Sequence, residues 1–191
     1  MAVVCVGVGV GMTMAAFQAA TAGIAHAESG MFFSELYLFA ETCQANGVTH
    51  ILESGVCNGV STRLLNALWP GRVVSWENNP RKVPAKFSCP VVLGNGIDLI
   101  PAWLKHHQGR RVGVLLDGPK GPKGAELRKV CFTFSSVRVV GQHDALRGQG
   151  ETLHSQDPIF DELDVLDVRV PADVRKRYAL GSPGLAIWVA P

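Results

Sequence analysis

The sequence has almost no net charge and lacks the signatures of several protein classes. Eighteen Lys and Arg against sixteen Asp and Glu leave a charge of +2, too little to indicate a nucleic acid or another polyanion as a partner. The five cysteines form no CxxC pair and no metal-type spacing. Hydrophobic residues make up 47% and charged residues 18% of the chain, which argues against disorder and predicts one globular domain.

Charged side chains are also absent from residues 2–27, which raises the question of a signal peptide or membrane anchor. A small-x-small tripeptide at 25–27 fits a cleavage site. No Lys or Arg precedes the apolar stretch, however, and its glycines and valines favour a helix poorly. A translated leader and a helix packed on the domain therefore stay open. We assign 1–30 to an apolar N-terminal segment and 31–191 to a single domain.

The dinucleotide fingerprint GxGxxG is missing as well. Gly7, Gly9 and Gly11 alternate, so the third glycine of that motif would fall on Met12 or Met14. No acidic residue ends a second strand at the required distance, and the chain has no Tyr-x-x-x-Lys pair. A nicotinamide-dependent oxidoreductase is disfavoured.

From residue 31 onward, the apolar pattern alternates between helix and strand. We predict strands over 48–52, 72–76, 91–93, 111–116, 133–140, 165–170 and 185–189, and helices over 31–46, 61–69, 97–107, 121–130 and 171–178. Residues 145–158 read as a surface loop. This order predicts an α/β fold with a doubly wound sheet, in which ligands bind beyond the carboxyl ends of the strands.

The turn after the first predicted strand, Glu53 to Gly59, contains two glycines four residues apart. Gly55 lets the chain turn and lets a ligand approach the backbone. Gly59 opens a helix whose free N–H groups favour polar or anionic groups. The sequence ESGVCNGVST that starts at Glu53 thus has the pattern ExGxxxGxST.

This pattern resembles motif I of class I S-adenosylmethionine-dependent methyltransferases, in particular the small O-methyltransferase-like group. The resemblance covers roughly 32–191 and implies a Rossmann-like, mostly parallel sheet with an antiparallel C-terminal strand. It implies S-adenosyl-L-methionine as cofactor, with the turn holding the methionine part. The implied cofactor-binding residues are Glu53, Gly55, Val56, Cys57, Gly59, Ser61, Glu77, Asn78, Asn95, Gly96 and Asp117.

Glu77 lies 22 residues beyond Gly55, at the end of the second predicted strand. An acid at this position accepts hydrogen bonds from both ribose hydroxyls; the alternative is a surface carboxylate beside Arg81. Gly94 to Asp98 resembles the adenine-side turn of the family, but Asn95 replaces the usual acid.

A metal site is a further implication of the resemblance. In metal-dependent O-methyltransferases, an acid after strand four and two ligands after strand five bind magnesium, and a lysine three residues after the first acid acts as base. Asp117, His143, Asp144 and Lys120 stand at these positions. Mg²⁺ prefers oxygen ligands and lowers the pKa of a coordinated hydroxyl, whereas imidazole suits transition metals better.

Lys120 can serve as a catalytic base beside Asp117 only if its pKa is depressed. The alternative for Asp117 and Asp144 is that they cap turns.

The expected function is S-adenosylmethionine-dependent methyl transfer to a small hydroxylated acceptor, in which the protein chiefly positions the reactants. A non-catalytic domain that keeps the fold is the alternative, favoured by the short body and by Asn95. The expected partner is a small molecule and not a nucleic acid; a membrane is reached only through residues 2–27, and a homodimer stays open. The compartment stays open: cytoplasmic, or secretory or membrane-associated if residues 1–27 are a signal or an anchor.

Overall fold

The structure is a computed structural model that describes residues 11–27, 30–145, 152–153, 163–174 and 184–191. The strands are β1 (His50–Ser54), β2 (Val73–Glu77), β3 (Val91–Leu93), β4 (Val112–Leu116), β5 (Val137–Ala145), β6 (Thr152–Leu153) and β7 (Gly184–Val189). The α-helices are α1 (Met14–Thr21), α2 (Phe33–Ala45), α3 (Val60–Leu68), α4 (Gly96–His106) and α5 (Pro122–Cys131). Two 3₁₀ helices span Pro80–Lys82 and Asp164–Arg169.

One sheet joins the strands in the order β3-β2-β1-β4-β5-β7-β6. The pairs from β3 to β5 are parallel, whereas β7 is antiparallel to both β5 and β6. The chain winds outward in one direction from β1 to β3 and in the other from β4 to β5. This confirms the doubly wound Rossmann-like sheet with an antiparallel C-terminal strand, and it places the crevice between β1 and β4.

Helices cover both faces of the sheet. On one face, α1, α2 and α3 contribute Phe17, Leu36 and Leu64 to a core that also contains Ile51 of β1. On the other face, α4 and α5 pack over the next residue of the same strand, Leu52. Because neighbouring strand residues point to opposite faces, a sheet covered on both sides requires apolar residues at successive positions, as in Ile51 and Leu52 of β1 and throughout β4.

Helix α1 belongs to the same core as α2. The ring of Phe17 is fully buried and meets Tyr37 edge-on, with centroids 5.3 Å apart. At the end of α1, Arg169 donates from Nη1 to the carbonyl of Thr21 at 2.5 Å. The described part of the N-terminal segment is therefore a helix packed on the domain. Over the described residues, no helix is long and apolar enough to cross a membrane.

The fifth strand differs from the prediction at both ends. Residues 133–136 form turns, so β5 begins at Val137 and not at residue 133. It continues to Ala145 because β7 pairs alongside it, with Gln142 opposite Ala186. His143 and Asp144 therefore lie inside the last part of the strand.

The prediction of a strand over 165–170 is wrong. Residues Asp164–Arg169 form a 3₁₀ helix, in which Leu166 is buried and Val165 and Val168 are exposed. The valines suggested a strand, but the buried positions are three to four residues apart, as one face of a helix requires.

The predicted loop over 145–158 and the last predicted helix are described only in part. Residues 152 and 153 form β6, an edge strand of the sheet, so the loop prediction is wrong there. Residues 172–174 are helical, whereas the rest of the predicted helix over 171–178 lies outside the described residues.

Candidate functional site

A cavity of about 340 Å³ opens at the carboxyl ends of β1 to β4. Four successive connections contribute to it, which is the expected position for a ligand in this type of sheet. It is lined by Ser54, Gly55, Cys57, Trp76, Glu77, Asn78, Lys82, Gly94, Asn95, Gly96, Ile97, Asp117, Gly118, Pro119, Lys120 and Lys123.

Seven of the predicted cofactor-binding residues therefore reach the cavity: Gly55, Cys57, Glu77, Asn78, Asn95, Gly96 and Asp117. Glu53, Val56, Gly59 and Ser61 are not among its lining residues. Trp76 is 4% exposed and lines the cavity as well.

Gly55 is required by two constraints at once. Its φ of +92° is a conformation that side chains rarely adopt. A Cβ atom there would also lie 3.0 Å from the carbonyl carbon of Asp117. The two chain segments are held together by Asp117, which donates its N–H to the carbonyl of Ser54 at 2.8 Å. The first turn and the loop after β4 thus form one floor of the cavity.

Glu53 is buried beneath the turn and stabilises it through hydrogen bonds in the interior. Its exposed fraction is 0%, and its carboxyl oxygens accept hydrogen bonds from Ser61 at 2.5 Å, Thr62 at 2.7 Å and Ser75 at 2.7 Å. Burial raises the pKa of Glu53 to about 7, although the three hydroxyls act in the opposite direction. The residue joins β1, β2 and the start of α3 and so fixes the helix that follows the turn.

Glu77 fixes the turn from the other side. One carboxyl oxygen accepts the N–H groups of Val56 and Cys57, both at 3.1 Å. The second oxygen accepts the N–H of Asn79 at 2.9 Å. A carboxylate oxygen has two lone pairs, so among the described hydrogen bonds the second oxygen keeps one acceptor position. Glu77 can thus take one ligand hydroxyl without releasing the turn, and its binding of both ribose hydroxyls stays a prediction.

The loop after β3 begins helix α4 at the cavity. The side chain of Asn95 accepts the N–H of Ile97 at 3.1 Å, as a helix N-cap does, and its amide donates to Asp98 at 3.2 Å. Gly96 lies so close to Ser54 that a side chain would collide with it. Asn95 therefore occupies the position expected for the adenine-side turn, with its side chain engaged in capping.

A cluster of charged side chains lies at the ends of β4 and β5. The ammonium group of Lys120 contacts the carboxylates of both Asp117 and Asp144, and His143 donates from Nδ1 to Asp117 at 2.8 Å. One ligand atom each from Asp117, His143 and Asp144 lies within 4.8 Å of the others. The structure thus places the three predicted metal ligands and Lys120 in one cluster.

Glu35 of α2 belongs to this cluster and was not predicted. Its carboxylate lies 3.5 Å from Nε2 of His143 and accepts the N–H of Phe32 at 3.0 Å. An acid in the first turn of a helix is an ordinary capping pattern, so the sequence offered no signal of this contact. Buried His143 lies between two carboxylates, which outweigh burial and raise its pKa well above the ordinary value.

The charges of the cluster compensate one another. Burial acts to raise the pKa of Asp117, but His143 and Lys120 outweigh it and hold that pKa below the ordinary value. Burial acts to lower the pKa of Lys120, but Asp117 and Asp144 outweigh it and raise that pKa. The condition set for Lys120 as a base, a depressed pKa, is therefore not met. The side chain is an ammonium group that holds two carboxylates.

Several solved structures resemble the chain. An O-methyltransferase from Bacillus cereus in complex with SAH has a TM-score of 0.49 and 17% identity over 91% of this chain and 88% of that one. A Klebsiella pneumoniae protein described as an O-methyltransferase has a TM-score of 0.49 and 13% identity, over 92% and 86%. A Staphylococcus aureus protein described as a caffeoyl-CoA O-methyltransferase has a TM-score of 0.44 and 13% identity, over 91% and 90%.

No protein-family model and no curated protein matches the chain. At such identities, similarity of fold does not establish a shared activity, which has to be argued from the site.

Proposed function

We propose that the chain is an S-adenosylmethionine-dependent methyltransferase that acts on the hydroxyl group of a small acceptor. The observation that carries the proposal is the cavity at the β1–β4 crevice, where Gly55, Glu77, Gly96 and Asp117 come together from four connections. The missing GxGxxG pattern weighs against a dinucleotide in the same crevice.

The residues around the cavity suit an adenosyl ligand in three ways. The backbone at Gly55 carries no side chain that would block close approach. Glu77 keeps one acceptor position for a ribose hydroxyl, and the ring of Trp76 offers an apolar wall for a base. When bound, S-adenosylmethionine supplies an activated methyl group that an acceptor oxygen can take.

In the transfer, the acceptor hydroxyl would take the methyl group and give up its proton to solvent water at the open cavity, since Lys120 cannot accept it. The chain contributes mainly by holding donor and acceptor in line. Lys120, Asp117 and Asp144 lie beside the same cavity as a fixed, charge-compensated group. We propose that this group orients the acceptor, because the ammonium of Lys120 has no free proton-accepting site.

Magnesium stays a prediction. Asp117, His143 and Asp144 would hold the ion, and their ligand atoms are close enough together. The ammonium of Lys120, however, already contacts both aspartates, and His143 is paired with Asp117 and Glu35. A metal ion would have to displace Lys120, and no part of the proposed reaction depends on it.

The proposal is tested by isothermal titration of the full chain with S-adenosylhomocysteine. We expect the wild type to bind, and Glu77→Ala to lose affinity by roughly tenfold or more, because both the turn and the acceptor oxygen are lost. Glu126→Ala, which removes an exposed carboxylate from α5, serves as the control and should bind normally. A folded wild-type chain that does not bind would refute the proposal. Binding without turnover on any hydroxylated acceptor would favour the non-catalytic alternative.

A further inference from the structure

At the end of the sheet opposite the cavity, four described loops that precede parallel strands together contain basic residues and no acidic residue. The loops lead into β1, β2, β4 and β5, and none of their residues, 46–49, 69–72, 107–111 and 132–136, is Asp or Glu. Five basic residues in or next to these loops are exposed: Arg72, Lys105, His106, Arg110 and Arg111. We call this surface the basic end.

Part of the basic end is arranged around His50, the first residue of β1. The guanidinium of Arg110 contacts Nε2 of His50 and lies 5.8 Å from the centre of the Trp103 ring. The backbone carbonyl of Arg72 accepts the N–H of Ile51, the next residue along β1. Since β2, β1 and β4 are neighbours in the sheet, the arginines before β2 and β4 flank His50 on both sides.

Helix geometry explains only some of these cations. Lys105 and His106 lie in the last turn of α4, where the helix dipole favours positive charge. Arg111 donates to the carbonyl of Asn46 at 2.6 Å and so caps the end of α2. Arg72 and Arg110 have no such role. Over the described part of the chain, no ion pair joins them to a carboxylate.

The cations around His50 repel one another. The pKa of His50 is lowered by burial and further by Arg110, Arg72 and His107. Like charges gathered without a counter-charge are destabilising unless an anion binds among them. A row of positive charge across several strands fits a chain of phosphates better than a single small anion.

An aromatic pair adjoins the cations. The rings of Trp103 and His107 are stacked, with centroids 3.9 Å apart and planes 10° apart, and both side chains are partly exposed. Basic side chains interleaved with aromatic rings are typical of surfaces that bind single-stranded nucleic acid through phosphates and stacked bases. Four exposed large hydrophobic residues of the described chain lie away from the basic end (Val92, Leu93, Val165 and Val168), and a single one, Val189, lies near it, opposite Val139 of β5. This favours a polynucleotide over a lipid surface, which would need apolar anchors.

We propose that the basic end binds single-stranded nucleic acid. The overall charge of +2 gives no sign of this surface, because the acidic residues that balance its positive charge lie elsewhere in the chain. The surface faces away from the cavity, so the proposal does not depend on the methyltransferase assignment.

The test is the fluorescence anisotropy of a labelled oligouridylate of about 12 nucleotides, titrated with the full chain at several salt concentrations. We expect the double variant Arg72→Gln/Arg110→Gln to bind at least tenfold more weakly. Each phosphate contact contributes roughly 0.7 to the magnitude of the slope of log affinity against log salt. The loss of two contacts should therefore lower that magnitude by about 1.4. The matched control is Arg81→Gln/Lys86→Gln, which removes two exposed cations outside the basic end and should stay within twofold of the wild type.

A second variant separates charge from folding. Arg72→Lys/Arg110→Lys keeps both charges and should keep most of the affinity, with a thermal unfolding midpoint close to that of the glutamine variant. Absence of RNA binding by the wild type, or an equal loss in the control, would overturn the proposal. So would binding to vesicles that contain phosphatidylserine without binding to RNA, which would indicate a membrane surface instead.

Discussion

The carboxyl group of Glu53 is held by three hydroxyls in the interior and not by water. Burial raises its pKa from 4.5 to about 7. Between these values the unfolded chain has lost the proton and the folded chain still holds it. The folded state is therefore favoured by this group below about pH 4.5, and that contribution is lost as the pH rises through about 7.

Glu53→Gln removes this titration, so the free energy of unfolding should vary less with pH in the variant. Between about pH 5 and pH 8, we expect the wild type to lose on the order of 2 kcal/mol more than the variant. Urea unfolding at each pH measures the difference. Glu126→Gln, on the exposed side of α5, should behave like the wild type. Parallel pH profiles for Glu53→Gln and the wild type would contradict the raised pKa.

Lys120 competes with any metal ion for Asp117 and Asp144. Lys120→Met removes the ammonium and leaves the two carboxylates less compensated. The variant should therefore bind Mg²⁺ or Mn²⁺ on the order of tenfold more tightly than the wild type. Isothermal titration with each metal chloride measures this, and Lys123→Met, which removes a nearby lysine at the start of α5, is the control. If neither protein binds a divalent ion, the metal prediction for Asp117, His143 and Asp144 fails.

At the scale of elements, α1 links the N-terminal segment to the domain. Its residue Phe17 packs in the core shared by α2 and α3, and Arg169 ties the end of α1 to the 3₁₀ helix over 164–169. The guanidinium lies 3.9 Å from the centre of the Phe33 ring and donates to two carbonyls of the α1 end, Thr21 and Ile24. Residues distant in sequence thus form one layer over the sheet.

Phe17→Ala should lower the free energy of unfolding by about 3 kcal/mol or more, because a fully buried ring is replaced by a cavity. Gln18→Ala changes the neighbouring exposed residue and should have little effect. The measurement is urea unfolding followed by circular dichroism. Equal stability of the two variants would show that α1 does not belong to the folded domain.

At the scale of the whole molecule, the parallel sheet has a different functional surface at each of its two ends. Its carboxyl ends carry the cavity and the cluster around Asp117, whereas its amino ends carry the basic end. Parallel strands force this separation, because every loop that follows a strand lies at one edge and every loop that precedes a strand lies at the other. A net charge summed over the chain cannot show it.

Local patterns in the sequence determined most of the framework. The run of β4 is apolar throughout because both faces of the sheet are covered there, and the prediction located each of β1 to β4 within two residues. The glycines of the first turn are required by backbone geometry, so Gly55 was identifiable from its position after a strand. The predicted strand order placed Glu77, Asp117, His143 and Asp144 near strand ends, whereas their cofactor and metal roles rest on the resemblance to methyltransferases and stay predictions.

Contacts between distant segments were decided only by the tertiary structure. The length of β5 depends on pairing with β7, and the 3₁₀ helix over 164–169 on packing against α2; neither partner is local in sequence. Glu35 reaches His143 because α2 lies over β5, and Lys120 meets both aspartates because β4 and β5 end side by side. Burial and neighbouring charges then set the pKa of each group, and a sequence does not contain these distances.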